Sequence, residues 1–133
     1  MRPSSDDDAD VILDVVFRQG LLFLVLANTG ERPALAVRVK LDAPLTGVGG
    51  TKRLDRLALF RKLEFLAPRK SIEVFLDRSD AFFARDEPTR LAAAITWRTP
   101  EGERRSTTIV HDLEIYRDLG YLEREVPPSA GPA

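Results

Sequence analysis

Three stretches of this sequence alternate between apolar and polar side chains, and that two-residue period leaves few folds open. In residues 34–41, Leu35, Val37, Val39 and Leu41 share one side while Arg38 and Lys40 take the other. Residues 71–77 repeat the pattern with Ile72, Val74 and Leu76. Residues 90–98 repeat it again with Leu91, Ala93, Ile95 and Trp97. Successive side chains of a strand point to opposite faces, so each stretch reads as a strand with its apolar face inward. Residues 11–18 add Val11, Leu13, Val15 and Phe17, and residues 103–113 return as a strand through Thr107, Thr108, Ile109 and Val110. Turn signals lie between them: Gln19-Gly20, Asn28-Thr29-Gly30 ahead of Pro33, and "TPEG" at 99–102. Asn28 and Gly30 both tolerate the positive φ that a chain reversal often needs. The helical spacers of parallel crossovers are missing. The expectation is an all-β, antiparallel sandwich of about seven strands, with at most one or two short helical turns.

Two regions are ambiguous. Residues 43–56 hold Pro44, Gly47, Gly49 and Gly50 and read as a loop or a short edge strand; residues 53–63 read equally as an amphipathic helix or as strand. Residues 79–85 suggest one helical turn capped by Ser79.

The chain has 133 residues, enough for one domain. Residues 1–9 form an acidic tail, 10–122 the sandwich, and 123–133 a Pro/Ala/Gly-rich tail, both tails expected to be disordered. Twenty Lys and Arg balance 21 Asp and Glu along the whole length. There is no basic stripe in the sequence, so nucleic acid is not an expected partner. The absence of Cys excludes disulfides, thiolate catalysis and Cys-ligated zinc. No apolar stretch approaches the ~20 residues of a membrane span, and the first residues lack the apolar core of a signal peptide. The expected location is therefore cytoplasmic, the alternative being the soluble domain of a membrane-anchored protein.

"LVLANTGERPALAVRV" at 24–39, "FLAPRKSIEVFL" at 65–76 and "ITWRTPEGERRSTTIVHDLEIY" at 95–116 together resemble bacterial immunoglobulin-like domains of the adhesion-related, CARDB-like kind. The three passages match that family's second-to-third-strand passage, its turn into the fifth strand and its last hairpin. In the middle passage Arg69 stands where the family's turn has Gly. The resemblance implies an immunoglobulin-like sandwich and carries over no functional residue. The ending Asp112 to Arg117 is like that of uncharacterised bacterial members.

Reactive chemistry finds little footing. His111 is the single histidine, and its neighbour Asp112 points to the other face of a strand, so a structural role is expected. Asp6, Asp7, Asp8 and Asp10 lack calcium-loop spacing. No nucleophile elbow, phosphate loop or metalloprotease motif occurs. No cofactor, metal or small-molecule substrate is expected, nor an enzyme.

The informative anomaly is surplus apolar surface. Residues 21–27, "LLFLVLA", are apolar on both faces, and Ile12, Val16 and Phe75 lie on nominally outer faces. Shared in one sheet, they would make an apolar patch, covered either by the chain itself (54–66 or 113–122) or by a partner protein or second copy. The candidate interface residues are Ile12, Val16, Leu22, Leu24, Phe75, Tyr116 and Tyr121. The expected function is a non-catalytic protein–protein interaction or accessory module working through a sheet face or edge strand. The alternative is carbohydrate binding at a cell surface through Trp97, Tyr116 and Tyr121, which a buried Trp97 would count against.

Overall fold

The computed structural model describes residues 8–119. The strands run β1 (Val11–Arg18), β2 (Leu21–Asn28), β3 (Ala34–Leu41), β4 (Thr46–Gly47), β5 (Lys52–Arg53), β6 (Leu63–Leu66), β7 (Ser71–Arg78), β8 (Arg90–Arg98) and β9 (Arg104–Asp112). Seven of them make two antiparallel sheets, ordered β1-β2-β7 and β6-β3-β8-β9, while β4 and β5 pair as a small hairpin. The fold is an all-β sandwich. Its helical pieces are short: a 3-10 turn (Leu54–Arg56), α1 (Ala58–Lys62), α2 (Ser79–Ala84) and a helical start at 115–119.

The core lies between the sheets. Val11, Leu13, Val15, Leu22, Leu24, Leu26 and Leu76 face Val37, Val39, Leu91, Ala93, Ile95 and Trp97 across it. The ambiguous 53–63 segment resolves into the end of β5, two short helical turns and the start of β6, because Leu54 and Phe60 are buried in this core while the charged residues between them stay out. Ala9, assigned by sequence to the tail, also belongs to the core.

Four local devices differ from their sequence reading. At Ala36 (φ 50°) β3 carries a bulge: Leu35 pairs with Arg98 but Arg38 with Thr96, so one residue is extra. The bulge turns Leu35 to the outer side, opposite exposed Phe65, and Ala34 takes the buried position. Gly30 is not at positive φ; a Cβ there would meet the Asp8 carbonyl oxygen at 1.9 Å, so its role is close backbone approach. Asn28 works through its buried side chain. Its amide donates to the Arg32 and Leu66 carbonyls (2.8 and 3.2 Å) and its oxygen accepts from the Asp10 and Gly30 N–H groups (3.1 and 3.0 Å). Ser79 does not cap α2; Arg78 holds the N-cap position without a side-chain bond, and Ser79 is buried with its N–H donating to the Gly20 carbonyl.

Arg69 adopts φ 61°, a left-handed conformation that favours glycine, and its guanidinium pairs with Glu31.

Candidate functional site

Parity decides which side chains reach the surface of the three-stranded sheet. Gln19 and Gly20 both take positive φ (53° and 78°), the mirror-image two-residue turn that suits a twisted hairpin. Arg18 therefore sits opposite Leu21 and Phe17 opposite Leu22. With Phe17 turned inward, Leu22 and Leu24 must also face inward, and both are fully buried at 0% exposure. Neither belongs to the surface patch expected of them. Their places on the outer face are taken by Leu21, Phe23 and Val25, beside Ile12 and Val16 of β1 and Phe75 of β7. That assignment was available from the sequence: residues flanking a two-residue hairpin are cross-strand partners on one face.

The centre of this face is one row across three strands, Val16–Phe23–Phe75. The Phe23 and Phe75 rings meet edge to face at 5.8 Å. Phe75 is 38% exposed and the neighbouring apolar side chains are half-buried. The Arg18 guanidinium lies 4.4 Å above the Phe23 ring and reaches across β2 to Glu73 with two hydrogen bonds (3.1 and 3.3 Å). The Glu73 carboxylate raises the Arg18 pKa still further. The strap covers Phe23 and leaves Phe75 open.

Among the described residues, neither segment expected as a cover lies there. The 58–62 turn packs against β3 on the opposite sheet. Residues 113–119 close the side between β1 and β9: Leu113 is buried, and Tyr116 stacks on the inward Phe17 at 6.0 Å. Tyr116 points its hydroxyl at the Val15 carbonyl (3.5 Å), with burial and then the Asp14 charge raising its pKa. Tyr116 is thus a seam residue and lies away from the patch; Tyr121 falls outside the described residues.

His111 joins the same seam. Its Nε2 lies 2.7 Å from the Leu13 carbonyl oxygen, so that nitrogen carries the hydrogen and donates. The Val15 N–H donates to the Asp14 side chain (2.8 Å). Side chains therefore occupy the outer edge of β1, whose unpaired backbone groups would otherwise invite another strand.

The most buried charges cluster at one end, where sequence reading singled nothing out. Asp77 accepts from the Gly49 N–H with both oxygens (3.1 Å each), from the Arg78 N–H (2.8 Å), and pairs with Arg85 (2.8 Å). Arg85 also donates to Glu87 (3.1 Å) and to the Thr46 and Ala81 carbonyls (3.2 Å each). Burial pushes the Glu87 carboxyl up, but hydrogen bonds from Thr46 and Arg85 outweigh it and hold the group below its ordinary value. Every member is partnered, so the cluster ties the 46–53 hairpin to β7 and α2 and offers no reactive group. No cluster of metal-ligating side chains occurs among the described residues, and no helix among them is long and apolar enough to cross a membrane.

Trp97 is buried at 5% exposure, its Nε1 without a hydrogen-bond partner among the described residues. It cannot stack on a sugar from that position.

A family described as a domain of unknown function (DUF8453) matches residues 3–117 of the chain. No curated protein and no solved structure matches it.

Proposed function

The chain belongs to the DUF8453 domain family, and from the geometry of its two sheets we propose that it is a non-catalytic, immunoglobulin-like accessory module that binds a protein partner through the outer face of its three-stranded sheet. The strand order supports the immunoglobulin-like part: of the seven sandwich strands, the first, second and fifth make one sheet, and the third, sixth and seventh make the other with the short fourth strand at its edge. The resemblance of 24–39, 65–76 and 95–116 to bacterial domains of the CARDB-like kind points the same way.

One observation carries the functional part: the contiguous apolar surface of Ile12, Val16, Leu21, Phe23, Val25 and Phe75, in a sandwich whose core is already filled from the other face. A sandwich needs one dry face per sheet. The second apolar face is not needed to close the core, and its area still open to solvent gains ~25 cal/mol per Å² only when removed from water. An aromatic residue at its open centre is the kind of anchor that dominates protein–protein contacts.

Sedimentation over a wide concentration range, paired with capture from the source cell, tests the reading. Self-association or a captured protein that Phe75→Asp abolishes, with unchanged thermal stability, is the expected result. A strict monomer capturing the same proteins with and without the substitution contradicts it.

A further inference from the structure

The opposite side of the sandwich has different chemistry. Along β8 and β9 the buried parity belongs to Leu91, Ala93, Ile95 and Trp97, so Ala94, Thr96 and Arg98, with Arg104, Ser106 and Thr108 beside them, form the outer surface. β3 adds Arg38 and Lys40 to it. Two cations, Arg98 and Arg104, stand directly opposite each other in the hairpin. Like charges in directly opposed positions destabilise a strand pair. Neither has an ion-pair partner among the described residues, and Lys40 has none either. Arg38 is already held by Glu64 and by the Val37 and Leu63 carbonyls. Between the charges the floor is Ala94, Thr96, Ser106 and Thr108, which leaves the guanidinium groups accessible from above.

The same row continues to apolar side chains. It runs Phe65–Leu35–Arg98–Arg104 across all four strands, and Phe65 is 57% exposed. Strands lie ~4.8 Å apart, which puts Phe65 roughly 10–14 Å from the two arginines, about three or four residues of extended peptide.

We propose that the outer face of the four-stranded sheet is a docking site for an acidic peptide segment of a partner protein, with carboxylates on Arg98 and Arg104 and an apolar residue three or four positions away against Phe65 and Leu35. Charge complementarity selects the occupant: two guanidinium groups in directly opposed positions, without an ion-pair partner among the described residues, gain most from carboxylates, which each can grip with two parallel hydrogen bonds. Lys40 adds attraction at longer range. This site is independent of the apolar face on the other sheet, so the module holds two partners of unlike chemistry on opposite sides.

A fluorescent synthetic peptide with one Phe followed, three residues on, by two Asp serves as probe, read by anisotropy on the full chain. Saturable binding that weakens with added salt is expected. The double substitution Arg98→Glu and Arg104→Glu should lower affinity about tenfold or more, Phe65→Ser several-fold, and Phe75→Asp not at all. Arg98→Gln with Arg104→Gln should give an intermediate loss, and serves should the charge reversal impair folding. Binding indifferent to the arginine substitutions overturns the proposal. So does tighter arginine-dependent binding of a single-stranded oligonucleotide, or of vesicles rich in phosphatidylserine, than of the peptide.

Discussion

The two sheets bury the same kind of core but present different outer faces. On the three-stranded sheet, Val16, Phe23 and Phe75 continue the apolar chemistry outward under a single Arg18–Glu73 strap. On the four-stranded sheet, Arg38, Lys40, Arg98, Thr96 and Thr108 turn polar at the positions where strand alternation demands it. Both sheets meet the requirement for one dry face, so the fold explains the second and not the first. Side chains beyond what the core requires are the ones available for contact.

That contrast breaks first at β2, where inner and outer residues are adjacent. Leu24→Ala should cost about 2–5 kcal/mol of unfolding free energy because a closed core cannot fill the gap, whereas Val25→Ala, one residue on, should cost under about 1 kcal/mol. Denaturant melts with equal midpoints for the two would mean the faces are not distinct. The seam between the sheets comes next. His111→Ala removes the donor to the Leu13 carbonyl and should cost roughly 1–3 kcal/mol, with faster amide exchange confined to β1; unchanged exchange there would show that the seam is held by packing alone.

Charged pairs sharpen the contrast further. Arg53 donates to the Asp55 carboxylate with two bonds (2.8 and 2.7 Å), and this pairing, against the push of burial and with help from the Leu45 N–H, holds the Asp55 pKa down at about 2. A carboxyl depressed on folding contributes stability above its unfolded pKa and loses it as the pH falls through the folded one. The contribution is therefore intact above pH ~4 and lost toward pH 2. It amounts to roughly 1–2 kcal/mol, and Asp55→Asn should flatten that part of the acid-unfolding curve. By contrast Arg18→Ala, which opens the exposed strap, should leave the melting temperature nearly unchanged while increasing the exposed area of Phe23. An acid limb identical in Asp55→Asn and the parent chain would remove the distinction between half-buried and exposed pairs. The smallest effect belongs to Arg69→Gly, which relieves a left-handed backbone at the loss of an exposed ion pair and should raise the melting temperature slightly; a lower melting temperature would count against strain at that turn.

Period-two alternation made most strands legible, because it is a direct imprint of burial. Ile72, Val74, Leu76, Leu91, Ala93, Ile95 and Trp97 all turn toward the core as the pattern demands. It failed where the pattern has no phase. In residues 21–27 every position is apolar, so only the two-residue turn at Gln19-Gly20 could say that Phe23 lies outside and Leu22 and Leu24 inside. The bulge at Ala36 left no trace at all: alanine carries no preference for φ 50°, and the displacement of Leu35 follows from pairing with β8. His111 and Tyr116 were equally silent, since the carbonyls they meet lie 98 and 101 residues away. The cationic row arises in the same way, from register that brings Arg98 opposite Arg104 and Phe65 beside Leu35.

The outward turn of the apolar row at position 75 can be probed directly, because the chain has no cysteine of its own. A photo-crosslinker attached at Phe75→Cys, with one at the exposed Lys52→Cys as reference, should give a discrete adduct from position 75 alone, either with a second copy or with one protein of the source cell. Equal yields from both positions, or no adduct from position 75, would contradict the assignment of that face to partner binding.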